Sequence, residues 1–147
     1  HDALPISDAA GCDAVIFVDD CVDVLNPKVI RSTAGSLFHL PVFTMRTNEF
    51  FDWTSDHHVD VWAADVYGTE KRKPESLPAV LADKAVVSMS QAVLFGNEAR
   101  GLEPEILERC GRIVSIPLYG KAESLNLGTS AAVMLMSLAM SGHIERM

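Results

Sequence analysis

The sequence is short of the features that usually assign a protein at sight. Cysteine is scarce: Cys12, Cys21 and Cys110 are odd in number and form no CxxC spacing. That excludes a disulfide framework or zinc-ribbon pattern and fits reduced thiols in a cytoplasmic protein. Positive charge is also short. Twelve Lys and Arg face 20 Asp and Glu, a formal net charge of −8, which disfavours a free-standing nucleic-acid binder but permits a catalytic domain that meets nucleic acid through one local patch. No apolar run reaches membrane-span length. The nearest, residues 125–140, is broken by Asn126, Gly128, Thr129, Ser130 and Ser137, so a soluble protein is expected. The opening residues do not follow the charged-then-apolar pattern of a secretion signal. There is no internal repeat or low-complexity tract. The first strand-like run continues as "FVDDCVDVLNP" without a Gly-rich loop, which weighs against a generic doubly wound nucleotide-binding domain.

What is present is a chain of 147 residues, 48% hydrophobic and 22% charged, enough for one domain with a real core. "DAVIFVDD" (Asp13 to Asp20), "PVFTM" (Pro41 to Met45), "VDVWAAD" (Val59 to Asp65), "QAVLFGNE" (Gln91 to Glu98, ending at Gly96) and "RIVSIP" (Arg112 to Pro117) read as strands. "NPKVIRSTAGSLFHL" (Asn26 to Leu40), with Asn26 as cap and Pro27 in its first turn, reads as a helix. So do "TNEFFDWTSD" (Thr47 to Asp56), "EPEILERCG" (Glu103 to Gly111) and the closing stretch from Ser124 to Met140. Residues 68–78 read as a polar loop, and its Glu70-Lys71-Arg72-Lys73 run as a solvated face. The strands are apolar throughout and alternate with helices, so the fold class is α/β, with a mostly parallel sheet covered on both faces. Ligands of such sheets bind at the carboxyl ends of strands, which directs attention to the loops after "VLFG" and "VSIP".

Those two loops carry the chemistry. In "LFGNEARGL" (Leu94 to Leu102), Gly96 ends a strand where a ligand can approach the backbone closely. Glu98 and Arg100 follow, and alone they amount to an ordinary turn with a surface ion pair. In "IPLYGKAESLNLGTSAAV" (Ile116 to Val133), Ser124 and Asn126 stand before a helix whose free N–H groups and positive dipole end face the loop. Together the loops can form a pocket of backbone groups with a few placed polar side chains. His57-His58 reads as a solvated loop, not a metal pair. Met134, Met136 and Met140 read as core or subunit-interface packing, and Trp53 and Trp62 as core.

The two segments, in this order and spacing, closely resemble the second and third signature motifs of the SpoU-type 2′-O-ribose RNA methyltransferases of the SPOUT superfamily. "NPKVIRSTAGSLFHLPV" is similar to the segment that precedes them, and the resemblance runs from about Asp8 to the end. It implies a parallel α/β fold with a C-terminal deep trefoil knot, S-adenosyl-L-methionine held in the knot, no metal, and a cytoplasmic homodimer acting on rRNA or tRNA. By motif position Gly96, Ile116 and Leu125 would line the cofactor site, with Ala63 or Ala64 bordering the adenine. Glu98, Ser124 and Asn126 would shape the active site. Ser124 and Asn126 would align the poorly nucleophilic ribose hydroxyl without adding charge. Glu98 would accept backbone N–H bonds or orient an Arg. Arg31 matches a position beside the RNA-facing surface, as a phosphate contact or a plain helix-surface charge.

The chain departs from the pattern at its start. The family's first motif, with an Asn, a Gly and the Arg usually credited with activating the hydroxyl, is expected just before "DAAGCDAVIF", where the chain reads "HDALPIS". Residues 1–7 are therefore read as a non-native leader ("HDALPI" is one reading frame of a common sequencing adapter) and residues 8–147 as a catalytic domain without its first motif and expected to catalyse weakly. The competing reading is a non-catalytic, dimeric RNA- or cofactor-binding module.

Overall fold

The computed structural model describes residues 11–18, 41–96, 101–121 and 125–146, without the side chains of 143–146. In chain order the elements are β1 (Val15–Val18), β2 (Val42–Met45), α1 (Thr47–Asp56), β3 (Asp60–Ala64), β4 (Glu75–Ser76), α2 (Leu77–Leu81), α3 (Lys84–Val87), β5 (Gln91–Phe95), α4 (Pro104–Arg109), β6 (Arg112–Ser115) and α5 (Leu127–Arg146). Every strand pair among the described residues is parallel, in keeping with the continuous apolar runs. The sheet is divided, however: β1 pairs with β2, and the larger sheet runs β4-β6-β3-β5.

The helices lie on both faces of the larger sheet. On one, Phe50 and Phe51 of α1 and Leu107 of α4 pack with Val61, Ala63 and Ile113, joined by Ile16, Val18 and Met45 from the smaller sheet. Arg109 ties α1 to α4: its guanidinium lies 4.3 Å from the centre of the Phe51 ring and donates to Asn48 Oδ1 at 2.7 Å. On the other face Leu77 and Val80 of α2, Val86 of α3 and Met134 of α5 pack against Trp62 and Val114. Side-chain alternation along β3 sends Trp62 to one core and Ala63 to the other. From β3 the chain reaches the far edge as β4, the crossover from there to β5 runs through α2 and α3, and the one from β5 to β6 returns through α4 on the opposite face. Winding thus changes direction at β3, and the carboxyl ends of β3, β5 and β6 meet at a topological switch point.

The strand expectations for residues 13–20, 41–45, 59–65, 91–98 and 112–117 each contain an observed strand, and α1 has the expected bounds. Glu49 supports its start by accepting from the Arg46 N–H at 3.2 Å. Three expectations need correction. The closing helix begins at Leu127, not Ser124, because Asn126 is its cap, and it continues to Arg146. The polar loop contains β4 and the start of α2. Residues 77–87, read as no element beyond the loop, hold two short helices, the second capped by Asp83, which accepts from Ala85 N and Val86 N. The helix expected at 26–40 lies outside the described residues. No helix among those described is long and apolar enough to cross a membrane.

Candidate functional site

At the carboxyl end of the larger sheet lies a cavity of about 460 Å³, in the range of small-molecule sites. Ala64, Phe95 and Ser115 bring the ends of β3, β5 and β6 to its floor, and Met134 and Ser130 of α5 close one side. Gly68, Gly96 and Gly101 give it backbone walls. A Cβ on Gly96 would overlap the carbonyl carbon of Gly101 and come within 2.6 Å of Leu102 N. Two chain segments pass here at backbone distance, which only glycine allows.

The far wall is residues 65–68, held by two sets of bonds. Asp65 Oδ2 accepts from the N–H groups of Tyr67 at 3.1 Å and Gly68 at 2.7 Å, an Asx turn. Gly68 takes a left-handed φ of +70° there. Further along, Arg72 donates to the carbonyls of Leu107 at 3.0 Å, Cys110 at 2.9 Å and Gly111 at 3.1 Å. It thereby satisfies acceptors that the end of α4 leaves open. Thr69 adds a 2.6 Å bond to Glu108. The charge run expected to be a solvated face therefore contains a clamp that fixes the cavity wall to α4.

Asn126 stands at the start of α5. Its Oδ1 accepts from Thr129 N at 2.8 Å, and its carbonyl accepts from Ser130 N at 2.9 Å. This is a regular N-cap; the rest of the exposed amide stays available to a ligand.

The amino end of the same strands is built differently. Asp60 accepts from Trp62 Nε1 at 3.0 Å and pairs with Arg112 at 3.6 Å, and Arg112 reaches both oxygens of Glu75 at 3.1 Å. A Cβ on Gly111 would strike the Asp60 carboxylate. Beside it Cys110 is buried and donates to Ile106 O at 3.2 Å. Burial pushes its thiol up to about 11, against the opposing pull of Arg72 and Arg109. It is an inert thiol, not a nucleophile.

Of the residues singled out in the sequence, Ala64, Gly96, Ile116 and Leu125 line one cavity. Ala63 is fully buried in the α1–α4 core and does not line it. Asn126 sits one residue from the lining Leu125 and Leu127. Arg31, Glu98 and Ser124 lie outside the described residues. Sequence reading missed Asp65, Tyr67, Ser130 and the cavity role of Met134. Asp65 was findable, as the first polar residue after a buried strand in a parallel sheet. Among the described residues no three His, Cys, Asp or Glu side chains gather as a metal site.

The topology and cavity define a doubly wound α/β domain with a cavity of small-molecule size at its switch point. The chain belongs, more narrowly, to the SpoU rRNA Methylase family, which matches it over residues 4–136. Among curated relatives it is 34% identical over 132 residues to the 23S rRNA (guanosine(2553)-2′-O)-methyltransferase RlmP of Bacillus subtilis, covering 90% of this chain and 49% of that protein. It is 31% identical over 132 residues to the 23S rRNA (uridine(2479)-2′-O)-methyltransferase of Streptomyces viridochromogenes, covering 88% and 44%. The chain thus spans about half the length of the curated relatives it matches. Among solved structures it is similar to the AdoMet-bound rRNA methyltransferase of Sinorhizobium meliloti, with a TM-score of 0.73, 29% identity and coverage of 95% and 50%. It is also similar to the SpoU methyltransferase AviRb of Streptomyces viridochromogenes in complex with AdoMet, with a TM-score of 0.74, 27% identity and coverage of 98% and 55%.

Proposed function

We propose that this chain carries the catalytic half of an S-adenosylmethionine-dependent RNA ribose 2′-O-methyltransferase acting on rRNA in the cytoplasm. The observation that carries the reading is the cavity: in a member of the SpoU family, Ala64, Gly96, Ile116 and Leu125 meet around about 460 Å³ at the carboxyl ends of three parallel strands. Its composition fits the cofactor. Apolar side chains suit the adenine, and close-packed glycine backbone offers N–H and carbonyl groups to the polar parts. Bound there, S-adenosylmethionine supplies a methyl already activated on a sulfonium, so the transfer needs no metal. The chain's own residues have to hold the ribose hydroxyl in line and take its proton. Asn126, with Ser124 and Glu98, is assigned to alignment, and Arg31 to a backbone phosphate.

Two structural features support finer parts of this reading. Strand β6 lies between β3 and β4, which are joined only by residues 65–74. The chain leaving β6 therefore emerges beside that loop, as a trefoil knot requires. Helix α5 is apolar around most of its girth and leaves Met140 56% exposed, as a helix that meets a second copy of the chain would.

Incubation with methyl-labelled cofactor and 23S rRNA transcripts tests the activity. Alkali-resistant label, the mark of a blocked 2′-hydroxyl, is the expected result. Cofactor binding without transfer to any transcript would overturn the enzymatic reading and leave a binding module.

A further inference from the structure

We propose that Asp65 is the counter-charge by which the cavity prefers the cationic cofactor over its demethylated product. The proposal rests on the cofactor reading above. The described cavity wall is apolar side chains, backbone groups and the polar side chains of Asp65, Tyr67, Ser115 and Ser130. Asp65 is the acid among them, and no described cation pairs with it; the two ion pairs of the described residues both lie at the other end of the strands. Its Oδ2 is occupied by the backbone N–H groups of Tyr67 and Gly68. Its Oδ1 is turned toward Gly101, 3.9 Å from where a Cβ on that residue would stand, on a glycine that itself lines the cavity.

A half-buried carboxylate gains when a positive charge joins it in the cavity, because water screens the pair less there than in bulk. S-adenosylmethionine carries a sulfonium and an ammonium against one carboxylate, a net charge of +1. Loss of the methyl leaves a thioether, and S-adenosylhomocysteine has no net charge. A fixed negative charge in the cavity therefore attracts the substrate form and gives the product form no equivalent gain. The same residue that builds the wall through Oδ2 would thereby bias the site toward releasing spent cofactor.

Calorimetry on the 147-residue chain and on Asp65→Asn separates charge from turn geometry. Asn retains an oxygen to accept the two backbone N–H groups, so the Asx turn survives while the charge is lost. The ligands are S-adenosylmethionine, sinefungin (an amine in place of the sulfonium, also cationic) and S-adenosylhomocysteine. Asp65→Asn is expected to weaken both cations roughly fivefold or more, as a charge a few ångströms away at intermediate dielectric would, and to change the neutral product less than about twofold. Equal weakening of all three, or no weakening, overturns the proposal and leaves the cofactor reading standing. No binding of any of them to the unaltered chain overturns both.

Discussion

The two ends of strands β3 and β6 make opposite use of the same chain. At the amino end, side chains fill the space: Asp60 reaches Trp62 and Arg112, Arg112 reaches Glu75, and the room a Cβ would need at Gly111 is taken by the Asp60 carboxylate. At the carboxyl end, glycine keeps backbone against backbone around an open volume. A glycine stands at both ends, at one against the Asp60 carboxylate and at the other where two chain segments cross at backbone distance. The difference teaches where stability and where binding should respond to substitution. Changes at the amino end are expected to lower stability and spare ligand affinity, whereas changes at the carboxyl end are expected to lower ligand affinity.

Gly96→Ala should have the largest effect. Its Cβ overlaps backbone, which cannot swing aside as a flexible side chain can, so cofactor affinity is expected to fall by more than about tenfold in a calorimetric titration, or at least ~1.4 kcal/mol. Asn126→Ala comes next and splits two quantities. Loss of the cap costs about 1 kcal/mol in a denaturant titration, while methyl transfer to RNA is expected to vanish. Unchanged transfer would remove Asn126 from the site.

Asp60→Ala tests the amino end alone. It strips the buried Trp62 Nε1 of its acceptor and Arg112 of one partner, with an expected stability loss of up to about 3 kcal/mol and unchanged cofactor affinity. A matching fall in affinity would collapse the distinction between the ends. The smallest effect should come from Cys110. Its thiol is raised from 9.0 to about 11 by burial, so the folded state holds this proton more tightly than the unfolded chain does. That stabilisation is complete below pH 9 and is lost only as pH rises through about 11. Cys110→Ala should flatten that part of the stability profile.

How much of this was legible in the sequence also differs between regions. The buried strands were readable because parallel strands covered on both faces are written as unbroken apolar runs. Helix α1 was readable to the residue because its buried Phe50, Phe51 and Thr54 recur on one face and Glu49 marks its first turn. Helices α2 and α3 escaped because five and four residues are too few for a helical period to show, and Pro78 punctuates the stretch. Strand β4 is two residues long beside a charged, proline-bearing loop, and it exists because β6 offers it an edge, a fact of topology that local sequence does not carry. The start of α5 was misplaced because Ser124 and Asn126 are both good caps, and only the bond from Thr129 to Asn126 decides between them. Gly96, Ile116 and Leu125 were singled out through motif resemblance, and all three line the cavity. Asp65 and Arg72 belong to no motif; Asp65 was findable from its place after a buried strand, but the bonds of Arg72 show only once the loop from 65 to 74 is seen folded onto α4.

The most direct test of the central claim is to map S-adenosylmethionine onto the chain by amide chemical shifts. The account predicts that titration moves the signals of Asp65, Gly96, Gly101, Ser115 and Leu125, while those of Gly111, Arg112 and Asp60 at the other end of the same strands stay in place. Shifts concentrated at the amino end, or spread evenly over both ends, would contradict it.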